Sequence, residues 1–256
     1  MEDYMKQKKL LSIFTLPLLW IIYFLFELFT GRIDTIEILL GNFALILVFT
    51  LVGYFIYRIS LNFPNGLSTK KVTIILFITL LIDQLIKLII KLFFFSDTKV
   101  IIKNLLAFNP IINTDGSWLN ARFNTGISFS FLIILNFFAL ILFLELYRYL
   151  IFKKHKSFWI DMCFIFIFSG ALCSFIDKIF YGGSLDFIAI GDLFIADIKD
   201  IYINLGLLFF ILAIYSSGYL TDNEETSFKD DLNSIKLFLH FIKEDFLSLI
   251  NIKNKQ

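Results

Sequence analysis

The sequence predicts an all-α integral membrane protein with about six transmembrane helices and a C-terminal amphipathic helix. Three observations carry this. Hydrophobic residues make up 58% of the 256-residue chain, and the mean hydropathy is +0.81, which leaves too little polar surface for a soluble domain of this size. The apolar residues gather in runs close to the ~20 residues that cross a bilayer. Basic segments separate alternate runs, as the positive-inside rule requires.

The first run, Leu10 to Phe29, follows the basic segment Lys6, Lys8 and Lys9. It is near full spanning length and no small-residue cleavage site follows it, so it reads as a retained helix rather than a secretory signal. Ile38 to Tyr57 is the second run, ended by Arg58. Residues 61–71 form a loop whose turn signal is Pro64-Asn65-Gly66. The third run, Val72 to Phe95, carries Asp83, Gln84, Lys87 and Lys91. Asp83 and Lys87 stand four residues apart, on one helix face. A carboxylate at mid-span costs roughly 2.5–3.5 kcal/mol on insertion scales, so the pair either neutralises itself or supports a site.

Residues 96–125 form a polar connection with strand-like pieces, and Trp118 and Arg122 there suit a membrane–water interface. Ile127 to Leu146 is the fourth run, Trp159 to Ile176 the fifth and Ile201 to Leu220 the sixth; the 147–158 loop is basic. With six spans the basic segments and both termini fall on the cytoplasmic side. The 96–126 and 177–200 connections then face outward. After Thr221, Phe228, Leu232, Ile235, Leu239, Ile242, Phe246 and Leu249 recur at helical spacing behind a capping-box-like Ser227 and Asp230. That helix lies on the membrane or on a partner.

Several chemistries find no residues here. The net charge of +1 gives no sign of a nucleic-acid partner. Cys163 and Cys173 lie ten positions apart in one apolar run and read as core residues. His155 and His240 have no metal-like or triad-like companions, and no phosphate-binding loop or nucleophile elbow is present. Neither a metal nor a cofactor is expected. What remains is carboxylate chemistry, concentrated in residues 169–206 with Asp177, Asp186, Asp192, Asp197 and Asp200.

Four stretches, in order, carry a resemblance. They are Asp83-Gln84-Leu85-Ile86-Lys87; Asn124-Thr125-Gly126-Ile127-Ser128-Phe129-Ser130; Gly170-Ala171-Leu172 with Ile176-Asp177-Lys178 and Gly182-Gly183-Ser184-Leu185-Asp186-Phe187; and Asp197 to Gly206. They resemble the motifs of lipoprotein signal peptidase (signal peptidase II), a bacterial inner-membrane aspartic protease. The resemblance covers residues 72–220. It implies a four-helix core with small extracytoplasmic loop and β elements, preceded by a hairpin extension over residues 1–71 and followed by a cytoplasmic tail over residues 221–256. It implies Asp186 and Asp200 as the catalytic pair, with Asp197 as the alternative to Asp200. Asp83, Lys87, Asn124, Gly126, Ser174, Asp177, Lys178 and Asp197 would support them and hold substrate.

The implied substrate is a diacylglyceryl-modified prolipoprotein, cut before its lipobox cysteine at the outer face of the inner membrane by a monomeric enzyme in contact with membrane lipid. A separate partner for the hairpin or the tail is open. The chain departs from the family at Cys173-Ser174, where the family has Gly-Asn, at Lys178, where it has Arg, and at Asp197, where Asn is usual. The gap from Asp186 to Asp200 is also shorter. These departures keep open a non-catalytic membrane scaffold, and Asp83 with Lys87 keeps open a small transporter.

Overall fold

The computed structural model describes residues 2–114, 126–153, 155–191, 194–217 and 227–253. Among these residues, six helices are long and apolar enough to cross a membrane. They lie in α1 (Glu2–Phe29), α2 (Ile36–Ser60), α3 (Thr69–Ile89), α4 (Phe129–Phe152), α5 (Phe158–Ile176) and α6 (Ile198–Ser216), and α7 (Phe228–Lys253) follows them. Side-chain oxygens of Thr35, Ser68, Ser128, Ser157 and Asp197 cap α2 to α6, accepting first-turn N–H groups that have no helical partner. The fourth helix runs six residues past its expected end at Leu146, so Tyr147 and Arg148 are helical rather than part of the basic loop. The turn at Pro64 to Gly66 is present. Asp161 of α5 pins the residue after it by accepting from Leu67 N–H (2.5 Å), while Tyr147 Oη–H donates to the same carboxylate (2.7 Å).

At one end of the bundle the chain forms a four-stranded antiparallel meander, β1 (Lys99–Ile102), β2 (Leu106–Asn113), β3 (Ser184–Ile190) and β4 (Phe194–Ala196). The sequence indicated strand-like pieces between the third and fourth spans. It gave no sign that residues 184–196, read as a loop, complete a sheet with them. The β2–β3 register pairs Ile111 with Asp186 and Asn113 with Ser184, and it shifts between Phe108 and Ile111. Pro110 sits in that shift, where its missing N–H costs the ladder nothing. Strand alternation then divides β3. Leu185 and Phe187 are buried in an apolar cluster with Ile90, while Ser184 and Asp186 face the other way. Each of α3 and α5 widens into a single π-helical turn before the sheet, Ile90–Phe94 and Asp177–Tyr181. The second ends on Gly182 at φ 63°, a left-handed conformation glycine adopts without strain.

The main core lies between α3, α5 and α6, with Ile165, Leu208, Phe209 and Leu212 almost wholly buried. α5 and α6 cross closely at Gly206, where a Cβ would stand 2.4 Å from Ile167 Cγ1 and 3.0 Å from Ile167 N. α1 and α2 pack as a hairpin through Trp20, whose indole N–H donates to Asn42 Oδ1 (3.1 Å). Tyr215 Oη–H ties α6 to Gln7 of α1 (2.7 Å). α7 meets α4 through Tyr149 and the rings of Phe238 and Phe241, both at 5.3 Å, and through Arg148 donating to Asp245 (2.6 Å). That is not the face marked by periodicity: Leu232, Ile235, Leu239 and Phe246 are exposed.

A side chain at position 206 cannot be absorbed by a rotamer change alone, because part of the clash is with Ile167 backbone. Gly206→Val is therefore expected to cost about 1–3 kcal/mol of stability, the range for overpacked cores, read as a lower midpoint of thermal unfolding in detergent.

Candidate active site

The polar residues of the third, fifth and sixth spans meet at the sheet end of the bundle. Lys87 of α3 is buried and is the hub. Its Nζ donates to Asp83 Oδ2 (2.9 Å) and Asp177 Oδ2 (2.6 Å), and it pairs with Asp197 Oδ2 (2.7 Å). Gln84 Nε2 donates to Asp83 (3.0 Å) and Asp177 (3.4 Å). Below this knot, Thr79 and Ser169 share a hydroxyl bond of 2.7 Å, and Tyr202 Oη–H donates to Thr79 O (2.9 Å). From the sequence, Asp83 and Lys87 on one helix face are either a self-neutralising pair or the support of a site. The structure adds two further carboxylates from other segments, which turns the pair into the clamp joining three spans.

Asp197 caps α6. Its Oδ1 accepts from Asp200 N–H (3.2 Å) while Asp200 Oδ2 accepts from Asp197 N–H (3.1 Å), a reciprocal capping box. Asp186 enters from β3. One carboxylate oxygen from each of Asp186, Asp197 and Asp200 lies within 4.8 Å of the other two. Asp186 Oδ2 accepts from Asn113 Nδ2 of β2 (2.8 Å), and Asp186 Oδ1 is buried with no hydrogen-bond partner among the described residues.

Lys199 reaches into the same space. Its Nζ donates to Asp197 Oδ2 and Ser184 Oγ, both at 2.5 Å, and stands 3.6 Å from Asp186 Oδ1. Burial pushes the Asp186 carboxyl above the usual range, opposed by Lys199 and by the hydrogen bond from Asn113. Burial pushes Asp197 up as well, but the Lys199 and Lys87 ammonium groups outweigh it and hold the carboxyl below the usual range.

A cavity of about 990 Å³ opens beside the cluster. Asp186, Asp200, Lys199 and Lys178 line it, with Asn136 of α4 and Asn204 of α6; Asp197 does not. Lys178 Nζ donates to Ser174 Oγ (2.5 Å), so two of the positions that depart from the family bond to each other at the cavity wall. Gly126 is exposed at φ 67° and does not line the cavity. Asn124, Asp192, Trp118 and Arg122 lie outside the described residues.

Asn113, Ser184 and Lys199 are site residues that the sequence reading passed over. Lys199 lay between two aspartates already singled out. Asn113 carries no local signal, since only strand pairing brings it to Asp186; Ser184 stands two residues before Asp186, and strand alternation puts both on one face. The three clustered aspartates are a poor cation site. The Asp197 oxygens are already taken by Lys87, Lys199, Ser184 and a backbone N–H, and two ammonium groups would repel an incoming ion.

The family model for Signal peptidase (SPase) II matches residues 75–216. The chain belongs to the signal peptidase II family. The matched span begins in α3 and ends with α6, so it contains every member of the aspartate–lysine cluster. No curated protein matches the chain. A solved structure described as a bacterial membrane enzyme, obtained by the in meso method at 2.3 Å, is 22% identical, with a TM-score of 0.51 over 64% of this chain and 99% of its own. A second of the same description, at 1.9 Å, is 22% identical, with a TM-score of 0.49 over 63% of this chain and 97% of its own. The likeness to the first is one of fold. Together with the six apolar helices, the family makes this a multi-pass membrane peptidase of the lipoprotein-processing class.

The hub gives a direct expectation. Lys87→Met leaves three buried carboxylates short of their shared cation, and breaking a buried pair by removing one partner costs about 3–5 kcal/mol. Unfolding of the variant in detergent should show a loss of that size, against near-wild-type stability for Lys91→Met, whose exposed side chain makes no ion pair among the described residues.

Proposed function

We propose that the protein cleaves diacylglyceryl-modified prolipoproteins before the lipobox cysteine, using Asp186 and Asp200 as an aspartate dyad. The observation that carries the reading is their placement. The two carboxylates lie within 4.8 Å of each other and both line the cavity, whereas Asp197, equally near, is wholly buried and saturated. Asp197 is then the helix cap and charge partner, and Asp200 the second member of the dyad.

The chemistry needs a water that loses a proton and a carbonyl that gains one. Two carboxylates this close do not both ionise readily, so they hold one proton between them. The ionised member takes a proton from water as its oxygen attacks the scissile carbonyl carbon. The protonated member donates to the carbonyl oxygen. The tetrahedral species collapses with cleavage of the C–N bond, and the leaving nitrogen takes up the proton gained from water. The dyad titrates as a pair. Asp83, Lys87, Asn124, Gly126, Ser174, Asp177 and Lys178 serve as support and substrate contacts, the last three from the cavity wall.

The positions of the basic segments support an orientation with both termini in the cytoplasm and the sheet end at the outer face of the bacterial inner membrane. There a signal helix leaves the bilayer while its lipid chains remain inside. Residues 1–71 act as a hairpin that braces the core and contributes no catalytic group, residues 72–220 are the peptidase, and residues 221–256 are a cytoplasmic tail. The enzyme works as a monomer. A non-catalytic relative is the second reading, favoured by one feature: the ammonium group of Lys199 stands among the carboxylates that must share a proton.

Purified protein in lipid should release the signal peptide from a diacylglyceryl prolipoprotein with no added metal or nucleotide, and chelators should not slow it. Asp186→Asn and Asp200→Asn should each abolish turnover in a folded protein, Asp177→Asn should be intermediate, and Asp192→Asn close to wild type. Turnover surviving in Asp200→Asn but lost in Asp197→Asn would move the dyad to Asp186 and Asp197. Failure of the wild-type protein, beside a typical family member active in the same assay, would favour the non-catalytic reading.

A further inference from the structure

The tail helix α7 is held at one spot. Phe238 and Phe241 meet the ring of Tyr149, and Phe241 also meets Phe152, each at 5.3 Å between centroids. Beside them Arg148 donates to Asp245 (2.6 Å). All these partners lie in the last five residues of α4, at the end of the bundle opposite the sheet. Leu142, Leu146 and Phe152 of α4 are apolar and exposed there, the surface a spanning helix turns to lipid. So α7 is tied where a spanning helix leaves the apolar layer, and the tie fixes its rotation.

Helical geometry orders its other faces. Leu232, Ile235, Leu239 and Phe246 form one stripe, about a third of a turn from the α4 contact. All four are exposed. Lys229, Lys236 and Lys243 recur every seven residues along the edge of that stripe farther from α4, and they too are exposed. Within α7 their neighbours three and four positions away are Leu232, Asn233, Leu239, His240, Phe246 and Leu247, none of them acidic. The acids lie elsewhere. Asp230 and Glu244 are opposite the stripe, and Asp231 and Asp245 are on the α4 side.

A helix built only to be solvated would intersperse its charges and pair them along its length. Here the cations stand clear of the acids and border the apolar stripe. Lysine stems can then lie along an apolar layer while their ammonium groups reach anions at its surface. We propose that α7 is an interfacial anchor: its apolar stripe sinks into the leaflet at which α4 ends, and Lys229, Lys236 and Lys243 bind the phosphates of anionic phospholipid. This decides between the two surfaces, membrane or partner, that periodicity alone left open. Neither the anchor nor its test depends on the aspartate dyad.

Full-length protein would be reconstituted at low protein-to-lipid ratio, in phosphatidylcholine alone and in phosphatidylcholine mixed with phosphatidylglycerol. A nitroxide is attached at Leu239→Cys on the stripe or at Leu237→Cys on the far face, with the unsubstituted protein as the blank for Cys163 and Cys173. In the mixed bilayer, oxygen dissolved in lipid should reach the label at 239 more readily than a water-soluble nickel chelate does. The label at 237 should show the reverse. Lys229→Gln, Lys236→Gln and Lys243→Gln, combined in the Leu239→Cys protein, should lower the ratio of inserted to released label by about fivefold for each lysine lost. The preference for phosphatidylglycerol should vanish with them.

A label at 239 as open to the chelate as the label at 237 would overturn the anchor. So would a label shielded from both reagents whose shielding disappears on dilution in lipid, since a second copy of the chain would then cover the stripe. Insertion equal in the two bilayers and unmoved by the lysine changes would overturn the assignment of the lysines to anionic lipid.

Discussion

One buried ammonium organises this end of the protein. Lys87 takes up carboxylates from three separate segments: Asp83 one turn earlier on α3, Asp177 where α5 opens into its π turn, and Asp197 at the cap of α6. Asp83, Asp177 and Asp197 are almost wholly buried, so leaving any of them unpaired would cost several kcal/mol. The ends of the three helices are consequently fixed relative to one another. In a membrane, apolar packing gives helices little preference for one partner over another. A many-bodied polar contact supplies the register that hydrophobicity does not.

The placement of the carboxylates follows from that register. β3 is strung between two anchored points, the π turn that begins at Asp177 and the cap at Asp197. Its alternation sends Leu185 and Phe187 into apolar packing and Asp186 towards the cavity. Gly183 allows the sheet to close here, since a Cβ at that position would stand 2.8 Å from Asn113 O. The capping box fixes the other carboxylate. Asp200 cannot swing away without giving up the Asp197 N–H, nor Asp197 without exposing the first turn of α6. Secondary-structure ends, rather than long flexible side chains, thus hold two of the three clustered acids.

The spans were legible because hydropathy and run length are local properties, and all six appear where the apolar runs lie. Fold and family were legible for a similar reason: Asp83 and Lys87, the glycines before Asp186, and Asp200 six residues before Gly206 are short-range patterns. What could not be read was whatever depends on distant strands. Asn113 reaches Asp186 only through the β2–β3 ladder, and Ser184 touches Lys199 only because α6 starts beneath β3. The ambiguity between Asp197 and Asp200 has a plain origin, since two acids three residues apart at a helix start each fit a role there. Spacing alone could not separate cap from cavity wall. The tail helix was legible from its periodicity, but its contact with α4 was not: Phe238, Phe241 and Asp245 lie on the face beside the apolar stripe and meet α4 there.

The departures from the family motif are easier to understand together than singly. The resemblance puts a neutral asparagine at position 197, where this chain has an aspartate. Alone, that change would add a buried anion beside Asp186 and Asp200 and make it harder for either to ionise. Two residues on, Lys199 returns one positive charge at 2.5 Å, so the local charge stays where the neutral residue would have left it. Ser174 and Lys178 show the same economy on the opposite wall, a shortened acceptor matched to a single-headed cation at 2.5 Å. At both walls a residue that departs from the family thus touches a partner of matching polarity. Lys199 also stands 3.6 Å from Asp186, so the charge that offsets Asp197 sits between the cap of α6 and the carboxylate the sheet delivers.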